Sequence, residues 1–126
     1  MKKSLVLLML SFLAFSCSEK ELETDTSSRL TGTWKAVEVF STDGGSSPEW
    51  NTFSGNFEYS FIGDEVITNN LEDGCEKGTF GIKEGNIIQF NFPCNSFQKT
   101  IEILTDTELI LVIDNFEPLK FKFKKI

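Results

Sequence analysis

Two stretches of this chain alternate aromatic and polar side chains with a period of two residues. In WNTFSGNFEYSFI, the apolar rings of Phe53, Phe57, Tyr59 and Phe61 occupy alternate positions. In LKFKFKKI, leucine and phenylalanine alternate with lysine. Successive side chains of a β-strand point to opposite faces, so this period indicates strands with one buried and one solvated face. The chain is therefore predicted to bury phenylalanine on the inner face of a sheet.

Short extended runs separated by turn residues continue from Leu30 to the C-terminus. They include eight candidate strands and no helical run of useful length. Nearly every link is short enough for neighbouring strands to pair antiparallel. An antiparallel meander of eight strands can close into a barrel, which removes its exposed edges. We therefore predict an all-β fold, an eight-stranded antiparallel meander barrel, with an open β-sandwich as the alternative.

The N-terminus has the pattern of an export signal. Lys2 and Lys3 precede the apolar run Leu5–Phe15, which is shorter than the ~20 residues that a membrane-spanning helix needs. A positive start, a short apolar run and small residues at its end are typical of a secretory signal peptide. The run ends in LAFSC, which resembles a bacterial lipobox. This resemblance implies that Cys17 is acylated and that the signal peptide is cleaved on its N-terminal side. A plain signal peptide with an unrelated cysteine is the alternative.

These features divide the chain into three parts. Residues 1–16 are the predicted signal peptide, residues 17–28 the lipidated cysteine with a flexible acidic tether, and residues 29–126 the barrel domain. The tether, SEKELETDTSS, shows no apolar periodicity. The residue after the cysteine is serine rather than aspartate, which resembles the signal that sorts lipoproteins to the outer membrane of Gram-negative bacteria. The glutamates of the tether either resemble a surface-export signal or belong to a solvated linker. The predicted location is therefore the bacterial outer membrane, and the sequence does not decide between its periplasmic side and the cell surface.

The hairpin GTFGIKEGNIIQF can be closed in two ways. A two-residue loop at Glu84-Gly85 places Phe80 and Phe90 on opposite faces of the hairpin. A three-residue loop, Lys83-Glu84-Gly85, places both rings on one face. The sequence leaves the two registers open.

Cys75 and Cys94 flank this hairpin and are the cysteines that remain besides Cys17. In an exported chain such a pair predicts a disulfide, with two reduced thiols as the alternative. The two-residue loop sets the cysteines opposite each other. The three-residue loop leaves them one residue out of step, which a β-bulge can restore. Opposed Cα atoms lie ~4.5–5.5 Å apart, within the range that a disulfide spans.

Composition excludes several classes of function. The chain has nineteen acidic and twelve basic residues, a net charge of −7, which disfavours nucleic acid and anionic lipid headgroups as partners. It has no histidine, and so lacks the usual general base, the usual zinc ligand and every Ser-His-Asp arrangement. The carboxylates show no spacing typical of an acid/base pair. We therefore predict no enzymatic activity, no catalytic residue, no cofactor and no metal site.

The run LTGTWKAVEV resembles the Gly-x-Trp opening of lipocalins. GTFGIKEGNIIQF and TDTELILVI resemble the middle and late strands of lipocalin-like domains in bacterial lipoproteins, so the resemblance covers about Leu30 to Ile126. It implies a calycin-like barrel in which Trp34 closes one end. Larger lipocalins pack an arginine of the last strand over this tryptophan, and here Lys122 or Lys124 would stand in its place. Trp50 follows a turn-rich loop, and the sequence leaves open whether it packs at the rim of the barrel or contacts a ligand.

Two functions remain open. One is a membrane-anchored lipoprotein whose barrel binds a small hydrophobic ligand, and the other is a non-enzymatic interaction or inhibitor module with a filled barrel. The eleven phenylalanines that follow the predicted signal peptide favour filling. The family implies no shared ligand, and the oligomeric state is not indicated. For the first function, the inward faces predict these ligand-binding residues: Phe57, Tyr59, Phe61, Phe80, Phe90, Phe121 and Phe123.

Replacing Cys17 with alanine should release the protein from membranes, because the predicted acyl chains are its only anchor and each buried methylene contributes ~0.8 kcal/mol. Fractionation of cells expressing Cys17→Ala measures the release, with Ser16→Ala as a control that keeps a small residue before the cleavage point. An intact mass showing an unmodified N-terminus at another residue would contradict the prediction.

Overall fold

The computed structural model describes residues 18–42, 47–114 and 118–126. Cys17 and the predicted signal peptide lie outside these residues. The helix found within them is neither long nor apolar enough to cross a membrane. The described elements are α1 (Ser18–Leu30), β1 (Gly32–Ser41), β2 (Glu49–Thr52), β3 (Glu58–Ile62), β4 (Glu65–Thr68), β5 (Lys77–Lys83), β6 (Ile87–Asn91), β7 (Ser96–Leu104), β8 (Glu108–Asp114) and β9 (Leu119–Lys125).

Eight of the described strands close into an antiparallel barrel. β1 pairs with β3 on one side and with β9 on the other, and from β3 to β9 each strand pairs with its successor. β2 pairs with the second half of β1, at Glu38–Ser41, and adds a strand beyond the eight of the closed ring. The predicted eight-stranded barrel is thus confirmed, and the open sandwich is wrong. The ninth strand was not expected.

The stretch expected as one long strand is split into β2 and β3. Between them, Gly55 lies against the ring of Phe53, where an added Cβ atom would overlap that ring. The Phe53 amide donates to the Val37 carbonyl and the Ala36 amide donates to the Phe57 carbonyl, both at 2.9 Å. The edge of β1 therefore keeps its hydrogen bonds across the break, and both phenylalanines still reach the core.

The β5–β6 hairpin closes with a three-residue loop, Glu84–Asn86. Its first two residues have positive φ angles, 54° at Glu84 and 80° at Gly85, and glycine adopts that conformation readily. The loop sets Phe80 directly opposite Phe90. The predicted two-residue loop is therefore wrong, and the predicted three-residue loop has the right length but begins one residue too early.

The segment predicted as a flexible tether is instead helix α1, and its last turns dock on the barrel. Thr26 and Leu30 lie one turn apart and are both buried, at 8% and 0% exposure. The Thr26 hydroxyl donates to the Gly85 carbonyl at 2.9 Å. Glutamate, lysine and leucine favour a helix here, and Asp25 pairs with Arg29 one turn later. The helix therefore belongs with the barrel, so the folded region begins earlier than residue 29.

Trp34 closes the end of the barrel that α1 covers. Its side chain is fully buried, and its indole N–H donates to the Leu30 carbonyl at 2.8 Å. Lys125 Nζ lies 4.9 Å from the centre of the Trp34 ring and also donates to a carbonyl in the last turn of α1. The cation over the tryptophan is thus Lys125, and the expectation of Lys122 or Lys124 is wrong, because those two lie on the opposite, outward face of β9.

Aromatic rings fill the middle of the barrel. Tyr59 on β3 stacks on Phe90 of β6 at 5.1 Å between ring centres, a contact between strands that are not neighbours. Phe57 meets Phe123 edge to face at the same distance. All the aromatic residues expected inside belong to this core or pack against it: Phe53, Phe57, Tyr59, Phe61, Phe80, Phe90, Phe121 and Phe123.

Cys75 and Cys94 form a disulfide, as predicted, with their Cα atoms 5.7 Å apart. Neither cysteine lies in a strand. Cys75 belongs to the β4–β5 loop, and Cys94 to the β6–β7 turn, where Phe92 and Asn95 exchange backbone hydrogen bonds. The bond therefore ties two loops together at the end of the barrel opposite α1.

Removing the disulfide should lower the free energy of unfolding by about 3 kcal/mol, because the bond restricts the unfolded chain over a separation of nineteen residues. Denaturant unfolding of a Cys75→Ala/Cys94→Ala variant measures the loss. A reductant should lower the stability of the parent protein to the same level and leave the variant unchanged. Equal stability of the two oxidised proteins would contradict the prediction.

Candidate ligand site at the barrel mouth

A cavity of about 280 Å³ opens at the end of the barrel opposite α1. We call it the mouth cavity. Its walls are mostly aromatic and aliphatic, with polar groups at the opening, and it lies above the ring-filled middle of the barrel. Its lining residues are Phe57, Tyr59, Leu71, Phe97, Ile113 and Phe121, together with the polar Thr68, Asn70, Asn95 and Lys99.

Strand alternation turns the wall residues of β7 inward. Phe97 pairs with Phe90, and the two rings stack at 5.0 Å between centres. Lys99 pairs with Ile88, which is fully buried. Ile101, two residues further along, is buried in the core. Lys99 therefore lies on the inner face of the barrel, between two apolar residues of the same strand.

Lys99 brings a positive charge to the apolar wall of the cavity. Its side chain is half-buried, and Nζ donates to the Ile113 carbonyl at 3.4 Å. The same nitrogen lies 5.4 Å from the centre of the Phe97 ring, close enough for a cation–π contact. The apolar part of a lysine side chain can pack along such a wall while its ammonium group keeps polar contacts.

Tyr59 is the phenolic residue of the lining. It is only 3% exposed, and burial raises the pKa of its hydroxyl well above the ordinary value. A buried phenol resists ionisation because the charged form loses its hydration. Tyr59 therefore stays protonated at physiological pH and can both donate and accept a hydrogen bond.

The disulfide lies beside the opening of the mouth cavity. Asn70 and Leu71 line the cavity from the β4–β5 loop, and Asn95 lines it from the β6–β7 turn. These are the two loops that Cys75 and Cys94 join. The bond therefore holds together two of the polar residues at the opening.

The structure separates the predicted ligand-binding residues into two groups. Phe57, Tyr59 and Phe121 line the mouth cavity. The others belong to the filled interior or to the opposite end, where Phe80 borders a groove beside α1. Those outside the mouth lining are Phe61, Phe80, Phe90 and Phe123.

Seven of the described lining residues were missed from the sequence: Phe97, Lys99, Leu71, Ile113, Thr68, Asn70 and Asn95. Phe97 and Lys99 belong to the run FQKTIEIL, in which a lysine occupies the apolar phase of an alternating strand. That position is the signal that could have identified Lys99. Leu71 and Ile113 carry no comparable signal, because one lies in a loop and the other ends an almost wholly apolar run.

Trp50 lies on the outside of the barrel and not in the mouth lining. It packs against Phe40 at 5.3 Å between ring centres, and Lys122 Nζ lies 4.7 Å from the centre of its ring. Glu38 holds that lysine through a 2.8 Å ion pair, which raises the Lys122 pKa. Trp50 therefore helps to attach β2 to the outer face of β1 and β9.

Two other grooves differ in chemistry from the mouth cavity. The groove between α1 and the barrel has a volume of about 420 Å³ and includes the carboxylates of Glu23 and Asp64. The second groove, of about 340 Å³, is lined in part by Glu58, Asp73 and Glu76. In the part of the chain that the structure describes, no three His, Cys, Asp or Glu side chains come together to hold a metal ion.

Comparison with known proteins bears on the fold. No family model matches the sequence, and neither does any curated protein. Among solved structures, a lipocalin-like protein from Bacteroides uniformis superposes with a TM-score of 0.57 at 19% identity, covering 78% of this chain and 99% of that chain. A match at this identity shows a shared fold and no shared ligand. Together with the closed antiparallel barrel, it shows that the chain has a lipocalin-like fold.

Proposed function

We propose that this protein is a membrane-anchored lipoprotein whose barrel binds a small, compact hydrophobic molecule in the mouth cavity. The observation that carries this proposal is a cavity of about 280 Å³ walled by Phe57, Phe97 and Phe121. Ligand sites in proteins are typically concave and apolar, with a few polar groups that fix orientation. The mouth cavity has that composition.

The filled interior limits what can enter. Tyr59 and Phe90 are stacked below the opening, and Phe123 contacts Tyr59 at 5.6 Å between ring centres. A long acyl chain would have to displace these rings from a close-packed core, which costs free energy. The ligand is therefore a single ring system or a short chain that fills the mouth cavity alone.

The membrane anchor follows from LAFSC and the Cys17 that ends it. We place the protein at the bacterial outer membrane through acylation of that cysteine, with no enzymatic activity because the chain lacks histidine and shows no paired carboxylates. α1 begins at the next residue, Ser18, and docks on the closed end of the barrel. The docked turns of α1 and the mouth cavity are therefore at opposite ends of the domain.

A second candidate function is an interaction or inhibitor module. The ring contacts that fill the interior favour it, because a filled barrel presents its surface rather than its lumen. Ile62, Ile67 and Ile103 add exposed apolar side chains to that surface, at 64%, 43% and 42% exposure. The two candidates differ in whether the mouth cavity takes up a small molecule.

Binding of neutral phenylalkanols, from benzyl alcohol to phenylhexanol, should strengthen with chain length and then stop strengthening. Each methylene that enters the cavity contributes ~0.8 kcal/mol, about fourfold in Kd, until the filled core blocks the next one. Calorimetry on the processed protein in lipid nanodiscs measures the Kd of each alcohol, with empty nanodiscs as the reference. Partition into the empty nanodiscs should rise without a plateau.

Phe97→Trp should weaken this binding several-fold, because the larger ring occupies part of the mouth cavity. Phe80→Trp is the matched control, since Phe80 lies at the opposite end of the barrel beside α1. Thermal unfolding of both variants checks that the barrel is intact. Absence of binding by every alcohol, or an equal effect of the two substitutions, would overturn the carrier proposal and favour the interaction module.

A further inference from the structure

We infer that the Tyr59 hydroxyl selects the ligand of the mouth cavity, and that this ligand is a small, neutral aromatic or short-chain molecule with a carbonyl oxygen. The phenol donates a hydrogen bond to that oxygen, while the aromatic wall holds the apolar body of the molecule. This inference rests on the proposed function and adds to it the chemistry of the ligand and the residue that recognises it.

Tyr59 is the one tyrosine of the chain, and its phenol lies in a core built of phenylalanine. Its side chain is 3% exposed. Four rings of the core have their centres between 5.1 and 5.8 Å from the centre of its own ring: Phe57, Phe61, Phe90 and Phe123. Phenylalanine would supply the same ring contacts without a hydroxyl to desolvate, so packing alone does not account for a tyrosine at this position.

The Tyr59 hydroxyl makes no hydrogen bond to any residue that the structure describes. In the same part of the chain, every side-chain nitrogen or oxygen atom that is fully buried does have a hydrogen-bond partner. The phenolic oxygen must therefore belong to the small accessible part of the side chain. Because Tyr59 lines the mouth cavity, this accessible hydroxyl faces the cavity.

The hydroxyl is available to a ligand as a neutral donor. Burial raises the pKa of Tyr59 well above its ordinary value, so the phenol keeps its proton at physiological pH. Buried hydroxyl groups in proteins are nearly always hydrogen-bonded, and a desolvated donor without an acceptor costs free energy. A purely apolar ligand would displace water from this hydroxyl without replacing its hydrogen bond, whereas an acceptor oxygen on the ligand would replace it.

The other hydroxyl of the described lining, that of Thr68, is already occupied. Thr68 lies opposite Tyr59 on the neighbouring strand. Its hydroxyl donates to the Glu58 carbonyl at 2.8 Å and accepts from the Asn70 backbone N–H at 3.3 Å. Of the two hydroxyl groups, the phenol of Tyr59 is therefore the one that can donate to a ligand.

The walls favour a neutral acceptor over an anion. Lys99 is engaged with the cavity wall, because its Nζ donates to the Ile113 carbonyl at 3.4 Å and lies 5.4 Å from the centre of the Phe97 ring. An anionic head group would lose its hydration among the aromatic side chains, at a high cost in free energy. The oxygen of a ketone, aldehyde or ester accepts a hydrogen bond and costs less to desolvate. A small carbonyl compound therefore suits both the hydroxyl and the walls.

Acetophenone and cumene are matched probes for this inference, because a methyl group in cumene takes the place of the carbonyl oxygen of acetophenone. Tyr59→Phe should weaken the binding of acetophenone by the processed protein in nanodiscs about threefold to tenfold, the contribution of one neutral hydrogen bond. The same substitution should leave cumene binding unchanged. Calorimetry measures both Kd values, and comparing two proteins with one probe cancels the partition of that probe into lipid.

Thr33→Val is the control variant, and thermal unfolding checks that both variants keep the barrel. It removes a hydroxyl that hydrogen-bonds to the Ser60 hydroxyl at 2.9 Å, outside the described lining of the mouth cavity, and should change the binding of neither probe.

The carbon NMR resonance of acetophenone enriched at its carbonyl carbon gives a second readout, because a hydrogen bond to a ketone oxygen moves that resonance downfield. With the parent protein, the resonance of the bound ketone should lie downfield of its position in cyclohexane. With Tyr59→Phe, it should lie closer to the cyclohexane position. A merely structural role of Tyr59 would not produce this difference.

The outcomes separate this inference from the proposed function. If the phenylalkanols bind in the mouth cavity but Tyr59→Phe changes the Kd of acetophenone and of cumene by the same factor, recognition by the hydroxyl is wrong and the carrier proposal stands. The same conclusion follows if acetophenone does not bind, or if its resonance in the parent protein lies at the cyclohexane position. If no phenylalkanol and neither probe binds, both proposals fail.

Discussion

The pairing of β1 with β9 is the contact on which the rest of the structure depends. It closes the sheet into a ring, and its register sets Trp34 opposite Lys125 and Ala36 opposite Phe123. A β-bulge after Ala36 adds one residue to β1, so that Val39 rather than Glu38 pairs with Phe121 further along β9. One ladder therefore seals the closed end, aligns the central rings and supplies a wall of the mouth cavity.

Much of this barrel could be predicted from local patterns, and the exceptions have identifiable physical causes. Period-two alternation on β3 and β9 is strong because large apolar side chains occupy every second position, Tyr59 and Phe61 on β3 and Leu119, Phe121 and Phe123 on β9. α1 was missed because its sequence has no apolar stripe, and its docking depends on Thr26, whose hydroxyl bonds to a distant loop carbonyl. Neither predicted β5–β6 register is right, since the two-residue loop sets Phe80 opposite Gln89 and the three-residue loop sets it opposite Ile88. The pairing of Phe80 with Phe90 determines the register, and loop composition alone does not.

The candidate site was harder to predict than the barrel, for two reasons. A β-bulge on β7 between Ile101 and Ile103 reverses the alternation, so Ile103 is exposed and Leu104 faces the core. Lys99 precedes the bulge, so only the short alternation of Phe97, Lys99 and Ile101 indicates that it faces inward. In addition, whether eleven phenylalanines fill a barrel or leave a cavity depends on where loops such as the one carrying Leu71 come to rest.

The disulfide beside the mouth cavity is unequally accessible from its two ends. Cys75 is 2% exposed, whereas Cys94 is exposed on its turn. A reducing thiolate must reach a sulfur atom to attack it, so small thiols in solution approach through Cys94 and must expel Cys75 as the leaving group. Burial disfavours the thiolate form of a leaving cysteine, which slows that exchange. The two loops around the opening are therefore protected kinetically from small-molecule reductants, independently of how much the bond contributes to equilibrium stability.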